Sequence, residues 1–113
     1  MKTVFHVSDG DDEVLDAAIR YAGGIFSDES VEIEAVAVVA NASGIDLVRA
    51  DSAYAEDITE LSKGDVQFIA CEKSMQAAGL TVGDIHDAAE TAPTSVGVLT
   101  ELQDEGYRYI KVP

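Results

Sequence analysis

The stretch Val31-Glu32-Ile33-Glu34-Ala35-Val36-Ala37-Val38-Val39 begins with apolar and acidic residues in alternation and then turns wholly apolar, the unbroken run reaching from Ala35 to Ala40. Its β-branched content predicts a strand over residues 31–39, and apolar side chains at consecutive positions call for burial on both faces. Similar short runs flank it. Residues 4–7 read as a first strand, residues 66–70 as a third and residues 107–112 as the last. The segments between them have helical spacing. Val14, Leu15, Ala18, Ile19, Ala22, Ile25 and Phe26 repeat at three and four and form one apolar face, with Gly23-Gly24 weakening the last turns. Helical turns are predicted for residues 45–50, and for a segment carrying Tyr54, Ile58 and Leu61 that stops at Gly64. A short helix follows Cys71 and ends at Gly79. Thr81-Val82-Gly83-Asp84 has capping-box spacing for another helix, carrying Ile85, Ala88 and Ala89. Pro93-Thr94-Ser95 starts a last helix, with core residues Val96, Leu99 and Leu102 and Gly106 as its stop.

Strands separated by helices imply an α/β fold with a mainly parallel sheet covered on both faces, because parallel neighbours need crossover connections. Ligands of such sheets bind where strand carboxyl ends meet helix starts. Here those places are residues 8–11, 41–44, 71–74 and 93–95.

A chain of 113 residues has room for one core, so residues 1–113 are read as a single domain. The longest apolar run is too short to span a bilayer, and the N-terminus turns acidic at Asp9 with no small-residue cleavage site, so a cytoplasmic location is expected. One cysteine makes no internal disulfide and no thiolate metal cluster, and the acids lack calcium-loop spacing, so neither a metal nor a cofactor is expected. The net charge of -15 repels phosphate backbones and anionic lipid, which argues against nucleic-acid and membrane partners. No phosphate-binding glycine loop, dinucleotide fingerprint or nucleophile elbow occurs.

Cys71 carries the chemistry. A thiol at a helix start has its thiolate favoured by the dipole and by free amides; Lys73 adds to this and Glu72 opposes it. Cys71 and Ser74 form a Cys-x-x-Ser spacing, and without a resolving cysteine any sulfur on Cys71 leaves only to another molecule. The competing reading is a cysteine that fills the core. His6 is either a proton donor or acceptor near the thiol or a strand histidine with a structural hydrogen bond. His86 is expected on a solvated helix face. Asn41-Ala42-Ser43-Gly44 reads either as an anion-binding turn or as an ordinary helix cap, and Tyr107 and Tyr109 as packing or subunit contacts.

Phe5-His6-Val7-Ser8, Val38-Val39-Ala40-Asn41 with Gly44, Phe68-Ile69-Ala70-Cys71, Gly79-Leu80-Thr81, Pro93-Thr94-Ser95-Val96 and Leu102-Gln103-Asp104-Glu105-Gly106-Tyr107-Arg108-Tyr109-Ile110-Lys111 together resemble the DsrE/DsrF-like family in its small stand-alone branch. The resemblance implies a three-layer α/β/α sandwich around a five-stranded parallel sheet, and homo-oligomers, as trimers or hexamers. It also implies sulfur chemistry, with Cys71 accepting sulfane sulfur as a persulfide between donor and acceptor proteins. Asn41, Gly44, Lys73, Ser74 and His6 are then expected to line the substrate site. The alternative is a non-enzymatic oligomer that binds a small ligand or a partner at the same cleft.

Acids outnumber Lys plus Arg by 22 to 7 and are spread along the chain, as suits a protein of a salt-loving prokaryote. Screening of this self-repulsion should raise the melting temperature as KCl is increased; thermal melts across a KCl series check it, and a falling Tm would oppose it.

Overall fold

A computed structural model describes residues 1–113. The chain runs β1 (Lys2–Val7), α1 (Asp12–Gly24), a 3-10 turn (Ile25–Ser27), β2 (Ala35–Ala40), a 3-10 segment (Ala42–Val48), α2 (Ala55–Ser62) and β3 (Val66–Cys71). It continues through α3 (Glu72–Ala77), a 3-10 turn (Val82–Asp84), β4 (Ala89–Ala92), α4 (Ser95–Asp104) and β5 (Tyr107–Lys111). All five strands are parallel, in the order β4-β3-β2-β1-β5. No helix is long and apolar enough to cross a membrane.

The apolar run does bury both faces. Val36, Val38 and Ala40 enter one core with Leu15, Ala18, Ile58, Phe68 and Met75, while Ala37 and Val39 enter a second with Val4, Ile69, Ala92 and Leu102. The strand is shorter than residues 31–39. Its ladder begins at Ala35, opposite Lys2, and residues 31–34 lie outside the strand ladder.

The order of the strands decides which helix covers which face. From β1 to β4 the chain steps in one direction across the sheet, and right-handed crossovers put α1, α2 and α3 on one side. From β4 it returns past the other three strands to β5, so the same handedness puts α4 on the opposite side. Helices therefore lie on both faces, and α4 starts at the carboxyl end of β4, beside β3.

Several expectations are corrected. The helix read through Ile85, Ala88 and Ala89 is a single 3-10 turn followed by edge strand β4, in which Ala89 to Ala92 pair with Phe68 to Cys71. The capping contact exists, with the Thr81 N–H donating to Asp84 Oδ2 at 2.9 Å, but Ile85 is extended and the open edge of β3 takes the next segment. The helix over residues 45–50 is instead a 3-10 segment that starts at Ala42. Phe26 and Val96, placed in the core by periodicity, are 41% and 75% exposed: Phe26 lies beyond the end of α1 and Val96 in the first turn of α4.

His86 is also corrected, being half-buried in the loop before β4. Its Nδ1 accepts the Ala88 N–H at 3.0 Å, so Nε2 carries the proton and donates to the Ala55 carbonyl at 2.9 Å, tying the loop to the start of α2.

Gly44 is required by close approach. A Cβ there would stand 2.2 Å from the Val7 carbonyl oxygen, whereas one on Gly24 would meet nothing within 4 Å. Gly44→Ala should therefore destabilise the fold by about 2 kcal/mol or more. Gly24→Ala should stabilise it by about 0.5 kcal/mol, through helix propensity and loss of chain entropy. Chemical denaturation of the two variants should give shifts of opposite sign.

Candidate functional site

Cys71 closes β3 and is at the same time the residue preceding the first turn of α3, in extended conformation at φ -75° and ψ 118°. A residue at that position ordinarily offers a side-chain oxygen to the second and third amides of the helix. Here a sulfur stands in place of the oxygen and makes no capping hydrogen bond of its own. The groups that favour its charged form are the Ser74 hydroxyl and the amides of Ser74, Ser95 and Lys73, Ser95 being the first residue of α4.

Ser74 is itself oriented. Its Oγ accepts the Ala42 N–H at 2.8 Å, and Ala42 holds a left-handed conformation at φ 48°, which a non-glycine residue adopts at some cost. With its lone pair occupied, the hydroxyl proton is free for the sulfur. The thiol is 4% exposed, and burial pushes its pKa up. The Ser74 hydroxyl and the amides of Ser74, Ser95 and Lys73 outweigh burial and hold the pKa below the ordinary thiol value.

The pairing of Ala40 with Ala70 places Asn41 level with Cys71, one strand over. His6 lies one strand further on, and its two ring nitrogens meet the Tyr109 hydroxyl at 2.7 Å and Asn41 Oδ1 at 2.9 Å. Asn41 Nδ2 donates to Ser95 Oγ at 2.9 Å, and the Ser95 amide is one of the groups that lower the Cys71 pKa.

The structure thus brings Cys71, Ser74, Asn41 and His6 into one cluster at the carboxyl edge of the sheet. Lys73 takes part through its amide, while its side chain is exposed and lines a hollow of about 440 Å³ with Ser43, Asp46 and Ser74. Gly44 faces Val7 and not the sulfur. A larger hollow, about 660 Å³, lies elsewhere, between α2 and His86. Ser95 and Tyr109 also belong to the cluster: the sequence placed Ser95 in one of the strand-end turns and read Tyr109 as a packing or subunit contact, and neither was expected beside His6 and Asn41. The position of Ser95 depends on where α4 starts relative to β3, and no local signal carries that; the parity of Tyr109 with Val4 and His6 would have put it on the same sheet face once β5 was known to pair with β1.

Comparison with solved structures finds the same architecture over nearly the whole length. A protein of unknown function from Methanobacterium thermoautotrophicum superposes with a TM-score of 0.89 at 28% identity, covering 97% of each chain. A conserved protein of unknown function from Bacteroides thetaiotaomicron superposes at 0.70 with 13% identity, covering 98% of this chain and 94% of its own. Comparison with proteins of curated function gives no match. The model of the DsrE/DsrF-like family matches residues 1–112. With the match running from β1 through the last residue of β5, the chain belongs to the DsrE/DsrF-like family.

Proposed function

We propose that the protein is a cytoplasmic sulfur carrier of the sulfurtransferase type, with Cys71 as the sulfur-bearing residue. The observation that supports it is the place of the thiol, at the carboxyl end of β3 and before the first turn of α3, where burial pushes its pKa up but the Ser74 hydroxyl and the amides of Ser74, Ser95 and Lys73 hold it below the ordinary thiol value. A lowered pKa favours the thiolate, and the thiolate is the nucleophile in sulfur exchange. The Cys71 thiolate attacks the outer sulfur of a donor persulfide, R–S–SH. The S–S bond of the donor breaks, R–S⁻ leaves with the electron pair, and Cys71–S–SH remains, with no net oxidation or reduction. The single cysteine offers no internal thiol to discharge the persulfide, so an acceptor thiol outside the chain takes the sulfur. Asn41, Ser74, His6 and the Lys73 side chain border the path of donor and acceptor, and Gly44 serves by letting the Asn41 turn close on β1.

A homo-oligomer is part of this reading. A helix packed along the strands is about 10 Å across, the width of about two strands, and α4 is the one helix on its face of a five-stranded sheet. Part of that face stays open, and β5 is left as an edge strand with Tyr109 and Ile110 exposed. Pairing of copies through that face, as in trimers or hexamers, would cover it.

A second reading is favoured by the low exposure of Cys71: a non-enzymatic oligomer that binds a small ligand or a partner at the strand-end cleft, with the thiol only lining it. Two measurements separate these. Incubation with a small persulfide donor should add one sulfur to the intact mass of the wild type and none to Cys71→Ser; a wild type that stays unmodified across donors removes the carrier reading. Alkylation of Cys71 tracks thiolate and so rises with pH, and its midpoint should fall below that of an ordinary thiol. Ser74→Ala removes a donor to the anion, so its midpoint should move to higher pH. A thiol that resists alkylation throughout supports the inert reading.

A further inference from the structure

In a chain whose acids outnumber Lys plus Arg by 22 to 7, the positive charge is unevenly placed. Arg20, Arg49 and Lys63 are ion-paired with neighbouring carboxylates, and Lys2, Lys73, Arg108 and Lys111 are not. Lys2 opens β1, and Arg108 and Lys111 lie on the adjoining β5, where no acid follows Glu105. Glu34, opposite the start of β1, is taken by the N-terminal ammonium at 3.7 Å. Lys2 Nζ leans over the Tyr107 ring, 5.4 Å from its centroid, and so carries its charge onto β5.

The same strand is the open edge of the sheet. The Val112 N–H donates to the His6 carbonyl at 2.9 Å, so alternation turns the backbone groups of Arg108 and Ile110 toward β1 and those of Tyr107, Tyr109 and Lys111 outward. Register puts the Arg108 and Ile110 side chains on the face of Thr3 and Phe5, and the Lys111 side chain on that of Val4 and His6. Ile110, 43% exposed, borders a hollow of about 360 Å³ with Phe5, Tyr21 and Ile25. The two charged residues at that hollow are engaged elsewhere, Arg20 with Asp16 and Asp28 with the Ser30 N–H.

We infer that the outer edge of β5 is a docking site for an extended acidic segment of another protein, which adds as a sixth strand. The outward backbone groups supply its hydrogen bonds, the hollow beside Ile110 takes an apolar side chain, and Arg108, Lys111 and Lys2 meet carboxylates on its two faces. Charge selects this occupant over a second copy. Pairing β5 with another β5 would set Arg108 and Lys111 against the same cations, and like charges across a strand pair are unfavourable. The edge is thereby guarded against its own copy and open to an acidic strand. A homo-oligomer formed on the α4 face leaves it free, because the edge points within the plane of the sheet. The inference does not depend on the chemistry of Cys71.

The probe is a fluorescein-labelled short peptide of glutamate with one central valine, titrated with the full chain and followed by anisotropy. In about 0.15 M KCl the Debye length of about 8 Å lets the nearby cations outweigh the net charge of -15. The peptide should bind, and Arg108→Glu with Lys111→Glu should weaken it by about tenfold or more. Should that double variant fail to fold, Arg108→Gln and Lys111→Gln read the same loss in smaller steps. A peptide with lysine in place of glutamate should stay free. Only alternate residues of an added strand turn their amides toward β5, so N-methylation at odd and at even positions should act unequally, one set removing binding and the other leaving most of it. A wild type that leaves the glutamate peptide free overturns the inference. Equal binding of the lysine peptide or by the charge-reversed chain also overturns it, as do two N-methylated peptides that bind alike. Self-association of the wild type that the charge reversal abolishes, seen by sedimentation, would make a second copy the occupant and overturn it as well.

Discussion

Parallel strands can be joined only by crossovers, and crossovers between right-twisted strands turn right-handed. In this chain the first four strands are laid down in one direction and the fifth on the far side of the first, in the order β4-β3-β2-β1-β5. One reversal of direction therefore sends one helix, α4, to the face that the other helices leave open. The start of that helix is set by the end of β4, and β4 pairs with β3 so that Ala92 lies opposite Cys71. The start of α4 is brought to the end of β3 as a result of topology, with Thr94 closing the turn by accepting the Gly97 N–H at 2.9 Å, and the Ser95 amide is among the groups that lower the Cys71 pKa.

Around the sulfur two effects oppose one another. Burial among apolar neighbours disfavours the charged form, and the acidic field of a chain with net charge -15 works in the same direction. Against both stand short-range donors whose strength grows as the surroundings become less polar. The donors win locally because they are fixed by backbone: two belong to the first turn of α3, one to the first residue of α4, and the Ser74 hydroxyl is held by Ala42. No flexible cation is needed to stabilise the anion.

Most of the strand pattern was legible because buried parallel strands need near-continuous apolar residues, and Ala35–Ala40 has them throughout and Val66–Cys71 at every position but Gln67. The fourth strand was not. Ala89–Ala92 is short, lacks β-branched residues except Thr91, and follows a true capping contact at Thr81, so local chemistry favoured helix while the open edge of β3 favoured strand. Helical periodicity also over-assigned the core at Phe26 and Val96. Spacing shows which residues share a face but not where the neighbouring layer ends, and both lie at the ends of their helices.

For the site, sequence alone determined that a single thiol ends a central strand with a serine three residues on, because strand length, the helix start and the Cys-x-x-Ser spacing are all local. It also determined that the chain has no second thiol to pair with Cys71. Tertiary structure alone decided that Tyr109, His6, Asn41 and Ser95 are joined by hydrogen bonds in one line, and that Ser95, 24 positions from Cys71, is among the groups that lower its pKa. These residues come from four separate segments. Their meeting depends on strand order, register and crossover hand, which are properties of the packed sheet and not of any stretch of chain.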